Sequence, residues 1–188
     1  MARTPSKEAH EKVLKAALKL IADRGIEATS MDAIASEAGV SKATVYKHWA
    51  TRDALLIEVI GAMTERIPEF ESGDPRSDLR DFLRHLAQSR KREELGRLWP
   101  RVIGYAVSNP EFAKALQHLF FTPRREQIAR ILRYAVNKGQ LREDIDTEFA
   151  MDLLIGPLMH RRFVDPPRVP LEMADRVTDY FWQVFGKS

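Results

Sequence analysis

Apolar residues recur along this chain at the three- and four-residue intervals of an α-helix, and no segment alternates apolar and polar residues as a half-buried strand does. In the first such segment Val13, Ala17 and Ile21 are each four residues apart, and the pattern predicts a helix over about 6–24. Similar segments follow to the end of the chain. The sequence therefore predicts an all-α protein of nine or ten helices.

Polar caps and glycines divide the first part of this pattern into short helices. Ser30, Ser41 and Thr51 each precede a helix-period segment, where a hydroxyl can accept a hydrogen bond from the free N–H groups of the first turn. Gly25 and Gly39 follow such segments and are typical of helix C-terminal ends. These signals predict two short helices, ending near Gly39 and His48, and a longer helix that begins after Thr51.

Proline-rich segments separate the later helices. The stretches 68–75 and 165–170 are expected to be loops, and the charged stretch 90–94 to be a solvated loop or a helix end. Asn109-Pro110 indicates a helix start. Thr122-Pro123 either splits or bends the helix that follows. The predicted helices in this part are 76–89, 95–107, 110–137, 147–163 and 171–185.

The segment 29–49 has the composition of two helices that meet at a sharp turn. Ala35 is small enough to allow a close approach of the two helices, and Gly39 can take the left-handed backbone conformation that the turn needs. Ile34, Val40 and Val45 are the apolar residues that would lock the pair. This arrangement predicts a helix-turn-helix, whose second helix enters the major groove of DNA.

The second helix of this pair also carries the chemistry of DNA binding. Lys42, Lys47 and Arg52 lie within eleven residues, and the stretch 40–52 contains no acidic residue. Hydrogen-bonding side chains suited to phosphates and base edges lie among them: Ser41, Thr44, Tyr46 and His48. Taken alone, the same pattern would also suit an ordinary helical hairpin with a solvated basic face.

These residues together resemble the DNA-binding domain of the tetracycline-repressor (TetR) family over about 13–60. The matching features are Thr29-Ser30, Ile34-Ala35, Ala38-Gly39-Val40-Ser41, Val45-Tyr46-Lys47-His48-Trp49 and Leu55. Trp49 stands where the family usually has phenylalanine, and Arg52 where lysine is common. The resemblance implies that Ser30 contacts the DNA backbone, and that Lys42, Ala43 and Thr44 lie nearest the base edges. It implies phosphate or sugar contacts for Tyr46, Lys47, His48 and Arg52.

The C-terminal half resembles one subgroup of TetR regulatory domains. The similarity lies in Gly139-Gln140-Leu141-Arg142, in Asp144 and Asp146, and in the stretch 152–158. It implies a helical ligand-binding domain whose last two helices, 147–163 and 171–185, pair with a second copy. An apolar stripe on the last helix supports this expectation and consists of Leu171, Ala174, Val177, Phe181 and Val184, widened by Trp182 and Phe185. Burial of these residues within the monomer is the alternative.

A regulator of this type is expected to hold a small-molecule effector in a mostly apolar pocket. Its predicted lining is Leu83, Leu86, Trp99, Ile103, Phe112, Leu116, Phe120 and Met159, with His85, Tyr105 or His118 as polar groups. Each of these residues would serve equally well as plain core.

Composition narrows the classes of function further. The chain has no cysteine, which excludes disulfides and thiolate chemistry, and its five histidines do not have a metal-ligand spacing. No catalytic motif, cofactor fingerprint or membrane span is present, and the first residues do not resemble a signal peptide. We therefore expect a cytoplasmic protein without catalytic residues, metal or cofactor. The net charge of +3 is only a weak indication of an anionic partner.

The sequence thus predicts a helix-turn-helix domain over 1–50, a connecting helix and linker over 51–74, and a regulatory and dimerisation domain over 75–188. The expected function is sequence-specific binding to a pseudo-palindromic DNA operator as a homodimer, usually in repression, relieved by a small molecule. Two alternatives stay open at this point. One is an architectural DNA-binding protein without ligand control, and the other is an enzyme that uses the C-terminal helices.

Overall fold

The helices of the protein begin and end close to the capping signals of its sequence. The computed structural model describes residues 5–64, 66–88, 90–164 and 169–187. Its ten described α-helices are α1 (Pro5–Arg24), α2 (Met31–Ala38), α3 (Lys42–His48), α4 (Arg52–Met63), α5 (Pro75–Gln88), α6 (Arg90–Ser108), α7 (Pro110–Leu116), α8 (Thr122–Asn137), α9 (Thr147–Val164) and α10 (Leu171–Phe185). Within these residues there is no β-strand, only an isolated bridge between Leu141 and Gly186. The predicted all-α class is confirmed.

Three hydroxyl side chains cap α2, α3 and α4. The oxygens of Ser30, Ser41 and Thr51 each accept a hydrogen bond of 3.1 Å from the backbone N–H three residues further on. Each bond satisfies one of the N–H groups that the first turn of a helix leaves without a partner. Local chemistry alone therefore sets these three helix starts.

Two stretches differ from the sequence-based expectation. Helix α6 already begins at Arg90, so the stretch 90–94 is helical. Between α7 and α8 a π-helical turn, Gln117–Phe121, separates the two helices, and α8 begins at Thr122. Pro123 is tolerated because it lies in the first turn of α8, where its missing N–H costs no hydrogen bond. Of the predicted proline-rich loop, residues 165–168 lie outside the described residues.

The chain forms two compact units. The first contains Met1–Thr64 and Leu98–Leu119, and the second contains Glu65–Arg97 and Phe120–Ser188. The predicted domain boundaries stay a prediction, although the sequence offered no indication that the stretch 98–119 packs with the N-terminal helices.

Helices α1 to α3 contribute buried residues to the core of the first unit, which also contains buried residues of α4, α6 and α7. Val13, Ala17, Ile34 and Val45 are fully buried there. Val40, predicted as one of the residues that lock α2 and α3 together, is only half-buried. The close packing of α2 on its neighbours therefore depends on Ile34, Ala35 and Val45.

The core of the second unit is built from α5, α8, α9 and α10. Phe82, Leu132 and Leu154 are fully buried in it. Arg76 and Arg80 of α5 bind Asp179 of α10 at 2.8 and 2.9 Å, and Arg84 binds Asp175 at 2.7 Å. The hydrogen bonds from Arg76 and Arg80 lower the pKa of Asp179.

The apolar stripe predicted on α10 as a dimer contact lies mainly against this core. Ala174 and Phe181 are buried, and Leu171, Val177, Trp182 and Phe185 pack around them. Val184 alone among the predicted stripe residues is largely exposed. The physical reason is that an amphipathic helix buries its most apolar face within its own fold.

Candidate nucleic-acid interface

Helix α3 turns one face inward and presents the rest to solvent. Val45 and the following Trp49 are buried, at 0% and 3% exposure. The side chains between and before them face solvent, namely Ser41, Lys42, Ala43, Tyr46, Lys47 and His48. Because the inward residues are four apart, the outward face runs along the whole helix.

The turn before α3 depends on Gly39. Its φ of 65° and ψ of 34° lie in the left-handed region, and its N–H bonds to the carbonyl groups that end α2. The N–H of Val40 bonds to the carbonyl of Ala35 at 3.1 Å, so the chain reverses within two residues. Ala35 is 3% exposed, which agrees with the close helix approach predicted for it.

Three of the predicted DNA-binding side chains at the start of α3 have partners within the protein. The ammonium group of Lys42 lies 2.6 Å from Asp32 of α2, and both side chains are more than half exposed. The hydroxyl groups of Ser41 and Thr44 lie 2.8 Å apart, and Thr44 is half-buried. An exposed ion pair of this kind contributes little, so Lys42 can exchange Asp32 for a phosphate at small cost.

Polar groups fix the end of α3 against α1 and α4. The indole Nε1 of Trp49 donates to Glu58 at 2.6 Å, and Nε2 of His10 lies 2.6 Å from the other oxygen of the same carboxylate. The ring of His10 also stacks on that of Trp49 with centroids 4.6 Å apart. The sequence indicated only that Trp49 turns inward. A buried indole N–H needs a partner, but its identity depends on the packing of three helices.

Arg52, predicted as a phosphate ligand, is the first residue of α4 and is one-third exposed. Its Nη2 donates to the hydroxyl of Tyr105 at 2.5 Å, and that hydroxyl donates to Asp53 at 2.9 Å. Nearby on α6, Arg101 donates to the carbonyl oxygens of Ile21 at 2.8 Å and of Ala22, at the end of α1. The contacts of Tyr105 with Arg52 and of Arg101 with the end of α1 were not predicted from the sequence.

The predicted effector-pocket residues are divided between the two units. Trp99, Ile103, Tyr105, Phe112, Leu116 and His118 lie in the first unit, and Leu83, His85, Leu86, Phe120 and Met159 in the second. Leu83, Leu86, Phe112 and Leu116 are buried core residues, whereas His118 is exposed. The second unit also contains a cleft of about 370 Å³, lined by Phe70, Glu71, Gly73, Asp78, Gln127, Arg130, Ile131 and Tyr134.

The described residues contain no group of three or more histidine or carboxylate side chains arranged to hold a metal ion. In the same part of the chain, no helix is both long enough and apolar enough to cross a bilayer.

Two family profiles match the chain. One, described as "Bacterial regulatory proteins, tetR family", matches residues 13–59, which include α2, the Gly39 turn, α3 and the first part of α4. The other, described as "Tetracyclin repressor-like, C-terminal domain", matches residues 70–181, which is more than half of the chain. The chain belongs to the TetR family.

Bacterial helix-turn-helix transcriptional regulators resemble the chain over most of its length. The uncharacterized HTH-type transcriptional regulator YdeS of Bacillus subtilis is 33% identical over 156 residues, covering 82% of this chain and 78% of that protein. The HTH-type transcriptional regulator AcrR of Shigella flexneri is 28% identical over 169 residues, covering 83% and 79%.

Solved structures of the TetR family share the fold. The TetR family transcription regulator SCO0332 superposes with a TM-score of 0.63 at 27% identity, covering 94% of this chain and 97% of that one. A TetR family regulator from Pseudomonas syringae superposes with a TM-score of 0.70 at 23% identity, covering 99% and 100%, and shows the fold alone.

Membership of the TetR family makes the chain a helix-turn-helix transcriptional regulator and not an enzyme. Regulators of this family bind DNA, form dimers and bind small-molecule effectors.

Proposed function

We propose that the protein represses transcription by binding a pseudo-palindromic operator as a homodimer, and that a small effector releases it. The solvent-exposed face of α3 is the observation that supports the DNA-binding part of this proposal. Tyr46, Lys47 and His48 are exposed on it, while Val45 keeps the helix seated on its neighbours. An exposed, basic helix of this kind fits the major groove, with Lys42, Ala43 and Thr44 toward the bases.

The remaining predicted contacts are to the DNA backbone. We assign phosphate or sugar contacts to Tyr46, Lys47, His48 and Arg52, and a backbone contact to Ser30, whose exposed side chain caps α2. Phosphate contacts fix the position of a protein on DNA but carry no sequence information, whereas contacts to base edges supply it. Loss of a phosphate contact should therefore weaken binding to every sequence, whereas loss of a base contact should reduce the preference for the operator. A regulator that binds chromosomal DNA in this way works in the cytoplasm.

For the homodimer we propose the outward faces of α9 and α10. Phe149 and Leu153 of α9 are 57% and 40% exposed, and Tyr180 and Val184 of α10 are 59% and 61% exposed. Within each helix the two residues are four apart, so each pair lies on one face. Exposed apolar faces of this size are costly in water unless they are covered. A two-fold contact between copies would cover them and would match the symmetry of an inverted-repeat operator.

For the effector we propose the cleft of the second unit. Phe70 and Tyr134 supply aromatic surface, and Asp78 and Gln127, at 4% and 6% exposure, supply buried polar groups. A site that combines apolar walls with a few fixed polar groups suits a small organic molecule. Leu83, Leu86 and Met159, from the set predicted by sequence, lie in or against the core of the same unit.

The test is selection of duplexes from a random-sequence library, followed by affinity measurements over a range of salt. An inverted repeat should emerge, and Lys47→Ala should weaken binding to selected and unselected duplexes alike and lower the salt slope by about one per half-site. Thr44→Ala should instead reduce the preference for the selected sequence. Lys114→Ala, which removes an exposed lysine of α7, is the control and should change neither quantity.

Two outcomes would contradict the proposal. Binding without any selected sequence would favour the architectural alternative. Unchanged affinity after the combined loss of Tyr46, Lys47 and Arg52 side chains would show that α3 and the start of α4 are not the DNA-binding surface.

A further inference from the structure

The side chain of Arg52 is held in one place by a residue 53 positions further along the chain. Its Nη2 donates to the Tyr105 hydroxyl at 2.5 Å, and its guanidinium carbon lies 5.2 Å from the centroid of the Tyr105 ring. Tyr105 is only 6% exposed, and its ring packs edge-on against Phe112 with centroids 4.9 Å apart. The arginine is therefore anchored on a rigid, buried support.

The Tyr105 hydroxyl is itself fixed by a second bond. It donates its hydrogen to Oδ1 of Asp53 at 2.9 Å, which leaves its oxygen to accept from Arg52. Burial, and after it the hydrogen bond to Asp53, raises the pKa of Tyr105, so the phenol stays protonated at neutral pH and the direction of both bonds is set. Three side chains thus form an ordered chain of donors and acceptors.

This arrangement leaves part of the guanidinium available to an external anion. Tyr105 takes one of the five N–H donors of Arg52, Nε lies 3.8 Å from Oδ1 of Asp53, and the side chain is 30% exposed. The two N–H groups of Nη1 and the second one of Nη2 remain for a phosphate. A planar guanidinium binds two phosphate oxygens at once when its orientation is correct, and orienting a long side chain beforehand removes part of the entropy cost of binding. Arg52 begins α4 four residues after His48, the exposed last residue of α3.

We propose that Tyr105 is a positioning residue for DNA binding: it holds the Arg52 guanidinium in the orientation that contacts a phosphate. The proposal rests on the proposed function, because it needs Arg52 to face DNA. It adds a residue of α6, far from the helix-turn-helix in sequence, to the determinants of operator affinity. Tyr105 is not itself a DNA contact, and its hydroxyl acts only through Arg52.

The experiment is a double-mutant cycle on DNA affinity with Tyr105→Phe and Arg52→Ala in the full-length protein. Tyr105→Phe keeps the ring and its contact with Phe112 but removes both hydrogen bonds. Two probes are used, a duplex selected by the unmodified protein and an unselected duplex of equal length, since a phosphate contact contributes to both. Thr178→Val is the control: it removes the hydroxyl of a buried threonine in the second unit, which donates to the carbonyl of Ala174 at 2.9 Å and belongs to none of the proposed binding surfaces.

We expect Tyr105→Phe to weaken binding about three- to ten-fold per half-site on both probes, the range that loss of one preorganised side chain gives. In the Arg52→Ala background the same change should have no further effect on affinity, and Thr178→Val should have no effect in either background. Melting temperatures of all variants are measured to separate affinity from unfolding.

Two results would overturn the proposal. One is unchanged affinity of a folded Tyr105→Phe variant. The other is an equal loss in the Arg52→Ala background, which would mean that Tyr105 merely anchors α6. The two proposals can also fail separately. If no DNA sequence is selected, but Tyr105→Phe and Arg52→Ala are coupled in their effect on affinity for the unselected duplex, the operator proposal is wrong and the role of Tyr105 is supported.

Discussion

One residue, Gly39, determines the turn that positions the DNA-binding helix α3. Gly39 has a φ of 65°, in the region where a side chain brings the Cβ too close to the following carbonyl oxygen. Nothing lies within 4 Å of a Cβ added at this position, so the cost of substitution is backbone strain alone. Gly104 of α6 has equal space around it but no positive φ.

These two glycines give a matched test. Gly39→Ala should lower the free energy of unfolding by about 1–2 kcal/mol, the cost of forcing an L-residue into the left-handed region. Gly104→Ala should raise it by about 0.5–1 kcal/mol, because alanine loses less backbone freedom than glycine in a helix. Urea unfolding followed by circular dichroism checks both. Shifts of the two midpoints in the same direction would contradict the assignment of strain to Gly39.

At the scale of elements, α10 shows how one helix serves two surfaces. Its inner face contributes Ala174 and Phe181 to the core of the second unit, and its outer face exposes Tyr180 and Val184. Adjacent residues on a helix point about 100° apart, so neighbours in sequence can belong to different surfaces. Apolar periodicity located the helix, but a wide apolar stripe does not reveal which part of it meets a second copy.

Adjacent residues of α10 therefore separate folding from assembly. Phe181→Asp should cost at least about 3–5 kcal/mol, because it removes a buried ring and buries an unpaired charge. Tyr180→Asp should leave the helical content intact yet give a monomer that binds the operator poorly. Light scattering and circular dichroism at micromolar concentration measure the two properties. A Tyr180→Asp variant that stays dimeric would remove α10 from the proposed interface.

At the scale of the whole molecule, repression that a ligand relieves requires two binding equilibria to influence each other. Thermodynamic linkage makes this influence reciprocal: an effector that weakens operator binding by some factor must itself be bound more weakly by that factor when operator is present. Couplings of this kind amount to about 5–150-fold.

A screen of small organic metabolites should yield a compound that binds the protein and raises its melting temperature. Its dissociation constant should increase about 5–150-fold when saturating operator duplex is present, and operator affinity should fall equally when the compound is present. Gln127→Leu, which changes a buried polar group of the cleft, should abolish binding of the compound and leave operator affinity unchanged. A tight ligand indifferent to operator would disprove the release mechanism and leave DNA binding unaffected.

The sequence by itself determined the all-α class, the three capped helix starts and the turn at Gly39. Each of these follows from interactions between residues fewer than five positions apart, such as a hydroxyl bonding to an N–H three residues on. It also identified Val45 and Trp49 as the inward positions of α3, because their spacing is that of one helix face. The resemblance to the TetR family came from this region, over about 13–60, and from a second set of residues over 139–158.

Only the tertiary structure decided which distant side chains meet. It joined Arg52 to Tyr105, attached Trp49 to His10 through Glu58, and assigned residues 98–119 to the N-terminal unit. It also turned Phe181 inward and Tyr180 outward on the same helix. Such contacts depend on how several helices pack at once, and a periodic pattern shows that a face is apolar without showing what it packs against.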